Sequence, residues 1–214
     1  MGKCVIFCAG GFAGLIQPIG EEDYVIAADG GYVHTQALNI TPNCLLGDFD
    51  SLGYVPDQAL VYPTKKDDTD AMLAVRRGLE LGYQEFVLYG TLDGPRLDHT
   101  IANVQLLHFL AEQGAVGYLV GNTAAATVIQ NKTACFPKEA AGYFSVFCLG
   151  ASAEGVSIRG AEYNLENSQL SPAFPLGASN RFVGEPARIS VQNGTLLLTW
   201  DKSNGLCRVT NGLQ

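Results

Sequence analysis

Residues 44–51 read Cys44-Leu45-Leu46-Gly47-Asp48-Phe49-Asp50-Ser51. A short apolar run stops at two aspartates one residue apart. The run has the length and composition of a buried strand, so the aspartates fall at its carboxyl end. In open α/β sheets that edge is where ligands bind. Two carboxylates so spaced both face a hard cation if the chain turns between them. Mg²⁺ favours one or two carboxylates together with phosphate oxygens and water. Asp, Gly and Ser are also ordinary turn residues, so by itself this stretch reads equally well as a polar turn.

The context on either side decides the fold class. Apolar runs over 4–8, 24–28, 86–89 and 118–121 repeat the strand pattern, and helical patterns over 31–38, 70–81 and 99–113 lie among them. Met72, Val75 and Leu79 share one helix face; Ile101, Val104, Leu107 and Leu110 share another. Strand–helix alternation of this kind predicts a mostly parallel sheet covered by helices. Beyond residue 130 the helical signal fades. Short β-branched and aromatic runs over 143–149, 156–159, 187–192 and 195–200 replace it, and Asn193-Gly194 reads as a hairpin turn. The expected architecture is α/β: a Rossmann-like parallel-sheet domain over 1–130, then a smaller all-β sandwich or barrel over 131–214.

Composition narrows the function. The chain has 214 residues, 47% hydrophobic and 16% charged, with a net charge of −8. A basic face for nucleic acid or anionic membrane is not expected. An anionic small substrate remains open, because a divalent cation reverses the local sign. The apolar stretch after Lys3 is broken by Gly10, Gly11 and Gly14, so it reads as a buried strand and glycine-rich turn, not a signal peptide. Cys4, Cys8, Cys44, Cys135, Cys148 and Cys207 contain no C-x-x-C pair and read as reduced thiols of a cytoplasmic protein.

Two further clusters follow strand ends. Lys66-Asp67-Asp68-Thr69-Asp70 opens the second helical pattern. An N-cap accounts for one or two of these residues, but not for three carboxylates in four positions, which repel one another without a nearby cation. Lys66 and Thr69 are candidate phosphate contacts. Gly94-Pro95-Arg96-Leu97-Asp98-His99 precedes the third helical pattern, with Asp98 a plausible N-cap and Asn103 one turn further on. Arg96 and Asp98 would project toward the same rim as the aspartates. Three independent caps at three strand ends are less expected than one acidic cation site. Two glycine turns complete the rim: Ala9-Gly10-Gly11-Phe12-Ala13-Gly14, with the look of a phosphate cradle, and Ala28-Asp29-Gly30-Gly31.

In this order and spacing the motifs resemble the thiamine pyrophosphokinase family. Its A-D-G-G, G-D-x-D-S, K-D-x-T-D and G-x-R-x-D-H patterns correspond to 28–31, 47–51, 66–70 and 94–99. Weaker counterparts, G-x-x-Y-x-L and G-x-S-N, stand at 160–165 and 177–180. Pro95 occupies a position where the family often has Gly, and Asp68 fills a variable one. The resemblance implies transfer of a pyrophosphoryl group from ATP to the hydroxyl of thiamine, giving thiamine diphosphate and AMP. It implies Mg²⁺ as cofactor and a homodimer that holds thiamine between subunits. It further implies Asp48, Asp50 and Asp70 as metal and phosphate residues, with Asp67 in support. Asp29, Gly30, Lys66, Thr69, Arg96, Asp98 and Asn103 would contact the nucleotide, and Tyr163, Ser179 and Asn180 would contact thiamine. The motifs offer several aspartates as acceptor of the hydroxyl proton, Asp70 among them, and do not choose between them. The competing reading is a Mg²⁺-dependent phosphohydrolase or nucleotidyl transferase built on the same aspartates; a third is a silent nucleotide- or thiamine-binding module.

Overall fold

The structure is a computed structural model and describes residues 2–212. The chain divides into two compact units, residues 1–106 with 117–122, and residues 107–116 with 123–214. Each unit builds its own pattern of strand pairing.

The first unit is built on parallel pairs. Strand β1 (Cys4–Phe7) lies between β2 (Tyr24–Ala28) and β5 (Glu85–Tyr89), and β2 continues to β3 (Cys44–Gly47) and β4 (Leu60–Val61), all parallel. β1 is buried at every position and β2 at all but the first. Such unbroken apolar runs belong to strands covered on both faces, which is the parallel-sheet signature. Helix α2 (Asp70–Glu80) buries Ala74, Val75 and Gly78, and strand β6 (Val116–Val120) stands beside β5. Close approach sets the path after β2. A Cβ on Gly31 would stand 1.9 Å from the carbonyl oxygen of Phe7, so only glycine passes beneath β1 there.

Three details differ from the expected elements. The pattern over 31–38 resolves into a single 3₁₀ turn, Asp29–Gly31, and a six-residue helix α1 (Tyr32–Ala37). Helix α3 (Leu97–Glu112) begins two residues earlier than expected. Asp98 therefore lies in its first turn and is not the N-cap; the carboxylate still suits the positive helix end.

The second unit is antiparallel. Its strands are β7 (Ala124–Gln130), β8 (Thr133–Phe136), β9 (Tyr143–Arg159), β10 (Leu165–Leu170), β11 (Gly177–Arg181), β12 (Ala187–Ser190), β13 (Asn193–Asp201) and β14 (Arg208–Thr210). The runs over 143–149 and 156–159, read as two strands, form one strand of 17 residues. Its first part pairs with β13 and β11, its last part with β12 and β10. Gly150 and Gly155 take positive φ between the two parts, so the strand bends without ending. This overturns the hairpin reading of Asn193-Gly194. β12 and β13 do not pair with each other but flank different stretches of β9. The core of this unit is aromatic: Phe136 contacts Phe144, Phe182 and Trp200, with the Trp200 indole N–H donating to the Gly205 carbonyl at 2.8 Å. Each such ring pair contributes about 0.5–1.5 kcal/mol beyond its buried area.

All six cysteines are free thiols. Among the described residues no helix is long and apolar enough to cross a membrane.

Candidate active site

The site begins where β2 and β3 end. Asp29 follows β2 with φ +47°, and Phe49 follows β3 with φ +58°. A phenylalanine in the left-handed region costs about 1–3 kcal/mol, and here its ring is buried, 2% exposed. The buried ring anchors the turn; beside it Asp50 is exposed, whereas the Asp48 side chain is only 10% exposed. The turn that two aspartates one residue apart require is thus supplied by Phe49. Its result is convergence: carboxylate oxygens of Asp29, Asp48 and Asp50 lie within 4.8 Å of one another. Asp29 is itself buried, and its Oδ1 has no hydrogen-bond partner. A buried carboxylate oxygen left unpaired beside two further carboxylates is costly unless a cation satisfies it.

Lys66 stands against this group. Its Nζ is 2.9 Å from Asp48 Oδ2 and 3.1 Å from Asp70 Oδ1. The contact to Asp48 is a hydrogen bond; that to Asp70 is an ion pair out of line for one. The hydrogen bond from Lys66 holds the Asp48 carboxyl below its ordinary value. Asp70 moves the other way: burial raises it, Lys66 opposes, and the charges of Asp48 and Asp29 add to the rise. Asp70 is therefore electrostatically coupled to the carboxylate trio without belonging to it. Thr69 caps α2, its Oγ1 accepting the Met72 N–H at 3.2 Å. Asp67 is exposed. Asp68 is bound sideways to Arg76 at 2.9 Å.

A cavity of about 390 Å³ opens beside these groups, lined by Asp29, Ser51, Thr69, Asp70, Thr91, Arg96, His99 and Asn103 among others. That volume lies in the range of small-molecule sites. Of the expected nucleotide residues, Asp29, Thr69, Arg96 and Asn103 line it, whereas Gly30, Lys66 and Asp98 do not. Arg96 and Asp98 form an exposed two-point ion pair through Nε and Nη2. Asn103 is buried and its Nδ2 donates to the Thr91 carbonyl at 2.9 Å, which ties α3 to the loop after β5.

The glycine-rich turn after β1 is not a free cradle. Gly10 N–H donates to Gly90 O at 3.0 Å and Gly11 N–H to Asp93 O at 3.1 Å. A Cβ on Gly10 would stand 2.5 Å from Gly90 O. These glycines let two loops meet backbone to backbone, and their N–H groups are already used.

The other expected residues lie in the second unit. Tyr163 is 64% exposed. Ser179 is exposed with φ +58°, at a register shift between β11 and β9, and its N–H donates to Ser145 Oγ at 3.0 Å. Asn180 is buried, 3% exposed. Its Oδ1 accepts from the N–H of Tyr163 at 3.0 Å and of Arg181 at 2.8 Å, and its Nδ2 donates to Tyr163 O at 2.7 Å. Asn180 thus holds the Tyr163 loop with both ends of its amide.

Sequence reasoning missed Asp29 as the third acid of the trio, although it ends a strand just as Asp48 does. Ser51 and His99, the last residues of the motifs at 47–51 and 94–99, also line the cavity although no role was expected of them, and Thr91 joins them with no local pattern to mark it.

A parallel sheet with a carboxylate-lined cavity at its strand ends, in a chain that also carries a β-rich unit, defines the class: an α/β protein with a ligand site at its strand ends. The chain belongs to the thiamin pyrophosphokinase family. Residues 16–117 match "Thiamin pyrophosphokinase, catalytic domain" and residues 133–196 match "Thiamin pyrophosphokinase, vitamin B1 binding domain". Among solved structures, it resembles a thiamine pyrophosphokinase from Bacillus subtilis with TM-score 0.83 and 24% identity, covering 93% of this chain and 99% of that one. A thiamin pyrophosphokinase family protein from Enterococcus faecalis gives 0.79 and 25%, covering 94% and 99%. The Candida albicans thiamin pyrophosphokinase gives 0.74 at 13% identity, covering 93% and 89%; at that identity the likeness is one of fold. No curated protein sequence matches the chain. The activity of the family is ATP-dependent pyrophosphorylation of thiamine.

Proposed function

We propose that this protein makes thiamine diphosphate and AMP from ATP and thiamine, with its carboxylate trio as a Mg²⁺ site. The observation that carries the reading is the convergence of Asp29, Asp48 and Asp50 around a buried, unpartnered Asp29 oxygen. The donor set is all oxygen, as a hard cation requires, so the residues fit the ion. Bound there with the triphosphate, Mg²⁺ would neutralise charge that builds on the phosphoryl oxygens. Asp29 replaces Asp70 in the metal set expected from the motifs. Asp70 is better suited to a proton-holding role, because burial raises its pKa.

The chain's own groups supply the rest. Lys66, anchored by Asp48, presents a positive charge beside the carboxylates. Arg96, in the cavity wall, is placed to pair with phosphate oxygens once it exchanges Asp98 for them. Thr69 and Asn103 hold the wall in shape, the first as a helix cap and the second as a tie to Thr91. Asp67 is read as a supporting charge and Gly30 as a close-approach position. Residues 1–130 are read as the nucleotide half and 131–214 as the thiamine half. In the latter the exposed Tyr163 ring offers a flat face to the cationic heterocycle. Ser179 adds a polar contact, and Asn180 fixes the Tyr163 loop. The active form is read as a cytoplasmic homodimer in which the nucleotide half of one chain meets the thiamine half of the other.

The test is product identity. With ATP, Mg²⁺ and thiamine, phosphorus NMR is expected to show AMP and thiamine diphosphate in equal amounts, without free thiamine monophosphate. ADP as main product would overturn the reading. Inorganic phosphate or a nucleotidyl adduct would point to a hydrolase or nucleotidyl transferase.

A further inference from the structure

Arg96 stands in the loop that joins β5 to α3, and it is exposed. A long side chain on a loop is useful at a phosphate only if its backbone is held in place. The loop ahead of it is fastened step by step. The Gly90 carbonyl accepts the Gly10 N–H at 3.0 Å. The Thr91 carbonyl accepts the Asn103 amide at 2.9 Å, and the Thr91 hydroxyl donates to the Leu88 carbonyl at 3.1 Å. The last fastening is Asp93. Its carbonyl accepts the Gly11 N–H at 3.1 Å, and its Oδ2 accepts the Asn122 N–H at 2.5 Å, just beyond the end of β6. Gly94 and Pro95 alone separate this anchor from Arg96, and α3 begins at Leu97.

Strand order explains why one residue reaches both neighbours. β5 lies between β1 and β6 in the sheet, so the loop after β5 passes between the turn after β1 and the end of β6. The space there is cut to Asp93. A Cβ on Gly121 would stand 2.2 Å from Asp93 Oδ2, and a Cβ on Gly11 would stand 2.9 Å from the Asp93 carbonyl oxygen. Neither glycine takes positive φ, so close approach is the constraint at both. An exposed acid three residues from Arg96 would by charge alone repel an anionic nucleotide. Its bond to a backbone N–H accounts for its place, since a hydrogen bond to an ionised acceptor is about twice as strong as a neutral one.

We propose that Asp93 is a positioning residue for the nucleotide, an inference that rests on reading Arg96 as a phosphate contact. By pinning the backbone to Gly11 and Asn122, Asp93 holds Arg96 where the triphosphate meets it. Asp93 touches no phosphate and acts through Arg96.

The experiment is a double-mutant cycle on the full protein, read by calorimetric titration with ATP and Mg²⁺ in the absence of thiamine. Arg96→Ala should weaken ATP binding by about tenfold or more. Asp93→Ala should weaken it by about fivefold. The double variant should bind within about twofold of Arg96→Ala, because a residue that acts through another loses its effect once the other is gone. Asp93→Asn, which keeps an oxygen for the Asn122 N–H, should recover most of the affinity. Gly121→Ala drives a methyl group onto Asp93 Oδ2 without altering the loop; it should weaken binding, and not do so in the Arg96→Ala background. Losses that simply multiply would show that Asp93 acts apart from Arg96 and would overturn the proposal. So would wild-type affinity in both Asp93→Ala and Gly121→Ala, or tighter binding in Asp93→Ala, which would mark the carboxylate as a repelling charge. Wild-type affinity in Arg96→Ala would remove the phosphate contact itself, and the positioning role with it. Formation of ADP in place of AMP by the wild type would overturn the proposed reaction and leave the result of the cycle intact.

Discussion

Asn180 grips Tyr163 by its backbone on both sides, accepting the N–H at 3.0 Å and donating to the carbonyl at 2.7 Å. A single buried amide thereby sets the position of an exposed aromatic ring. Asn180→Ala leaves both Tyr163 groups and the Arg181 N–H without this partner. The expected cost is roughly 2–4 kcal/mol, read by urea unfolding, together with a raised KM for thiamine. Asn180→Asp, which keeps the acceptor but loses the donor, should fall between. Wild-type stability in Asn180→Ala would show that the clamp carries no weight.

Asp29, Asp48 and Asp50 are expected to act as one group. Asn substitutions keep shape, and Asn tolerates the left-handed backbone at position 29. Each should lower kcat by about 10²-fold or more, with unchanged circular dichroism. Excess EDTA should abolish turnover and Mg²⁺ should restore it. Near-normal activity in Asp29→Asn would remove that residue from the metal set.

The shared-site reading makes a directional claim. Asp50→Asn disables the nucleotide half, and Tyr163→Ala with Ser179→Ala disables the thiamine half. Co-refolded mixed dimers should regain one intact site, and activity should rise well above the sum of the parents. Mixed dimers that form but stay inactive would place each site within one chain.

Burial pushes the Cys4 and Cys8 thiols up to about 12. Cys207 is pushed higher still by the same cause. The reactive species is the thiolate, so at pH 8 these sites should alkylate roughly a thousandfold more slowly than an ordinary thiol with a pKa near 8.5. Cys135, partly exposed on β8, should be labelled first by iodoacetamide. Mass spectrometry of the native protein reads the order, and early labelling of Cys8 would contradict the packing around β1.

Local order was legible wherever one residue type repeats under one constraint. The apolar runs of β1, β2 and β3 read as buried parallel strands because both their faces are covered. The helix at Asp70 was marked by Thr69 and by its apolar spacing. In the second unit the same signals misled. Val156–Arg159 and Tyr143–Leu149 looked separate because Gly150 and Gly155 interrupt the run, yet a strand passes through a glycine bend when partners hold it on both sides. Asn193-Gly194 suggested a hairpin because turn chemistry is local, whereas strand partners are chosen by the whole sheet.

The site divides in the same way. The sequence by itself determined which acids stand at strand ends, since an apolar run broken by Asp places that Asp at an edge whatever the fold does elsewhere. It determined the motif order that marks the family. Only the tertiary structure decided which acids meet. Asp29 joins Asp48 and Asp50 because β2 and β3 are neighbours and because the buried Phe49 turns the chain between the two. Asp70 faces Lys66 instead, and Asn180 faces inward to the Tyr163 backbone. Spacing along a chain constrains only neighbours in sequence; convergence of residues far apart in sequence depends on strand order, and strand order is settled by packing.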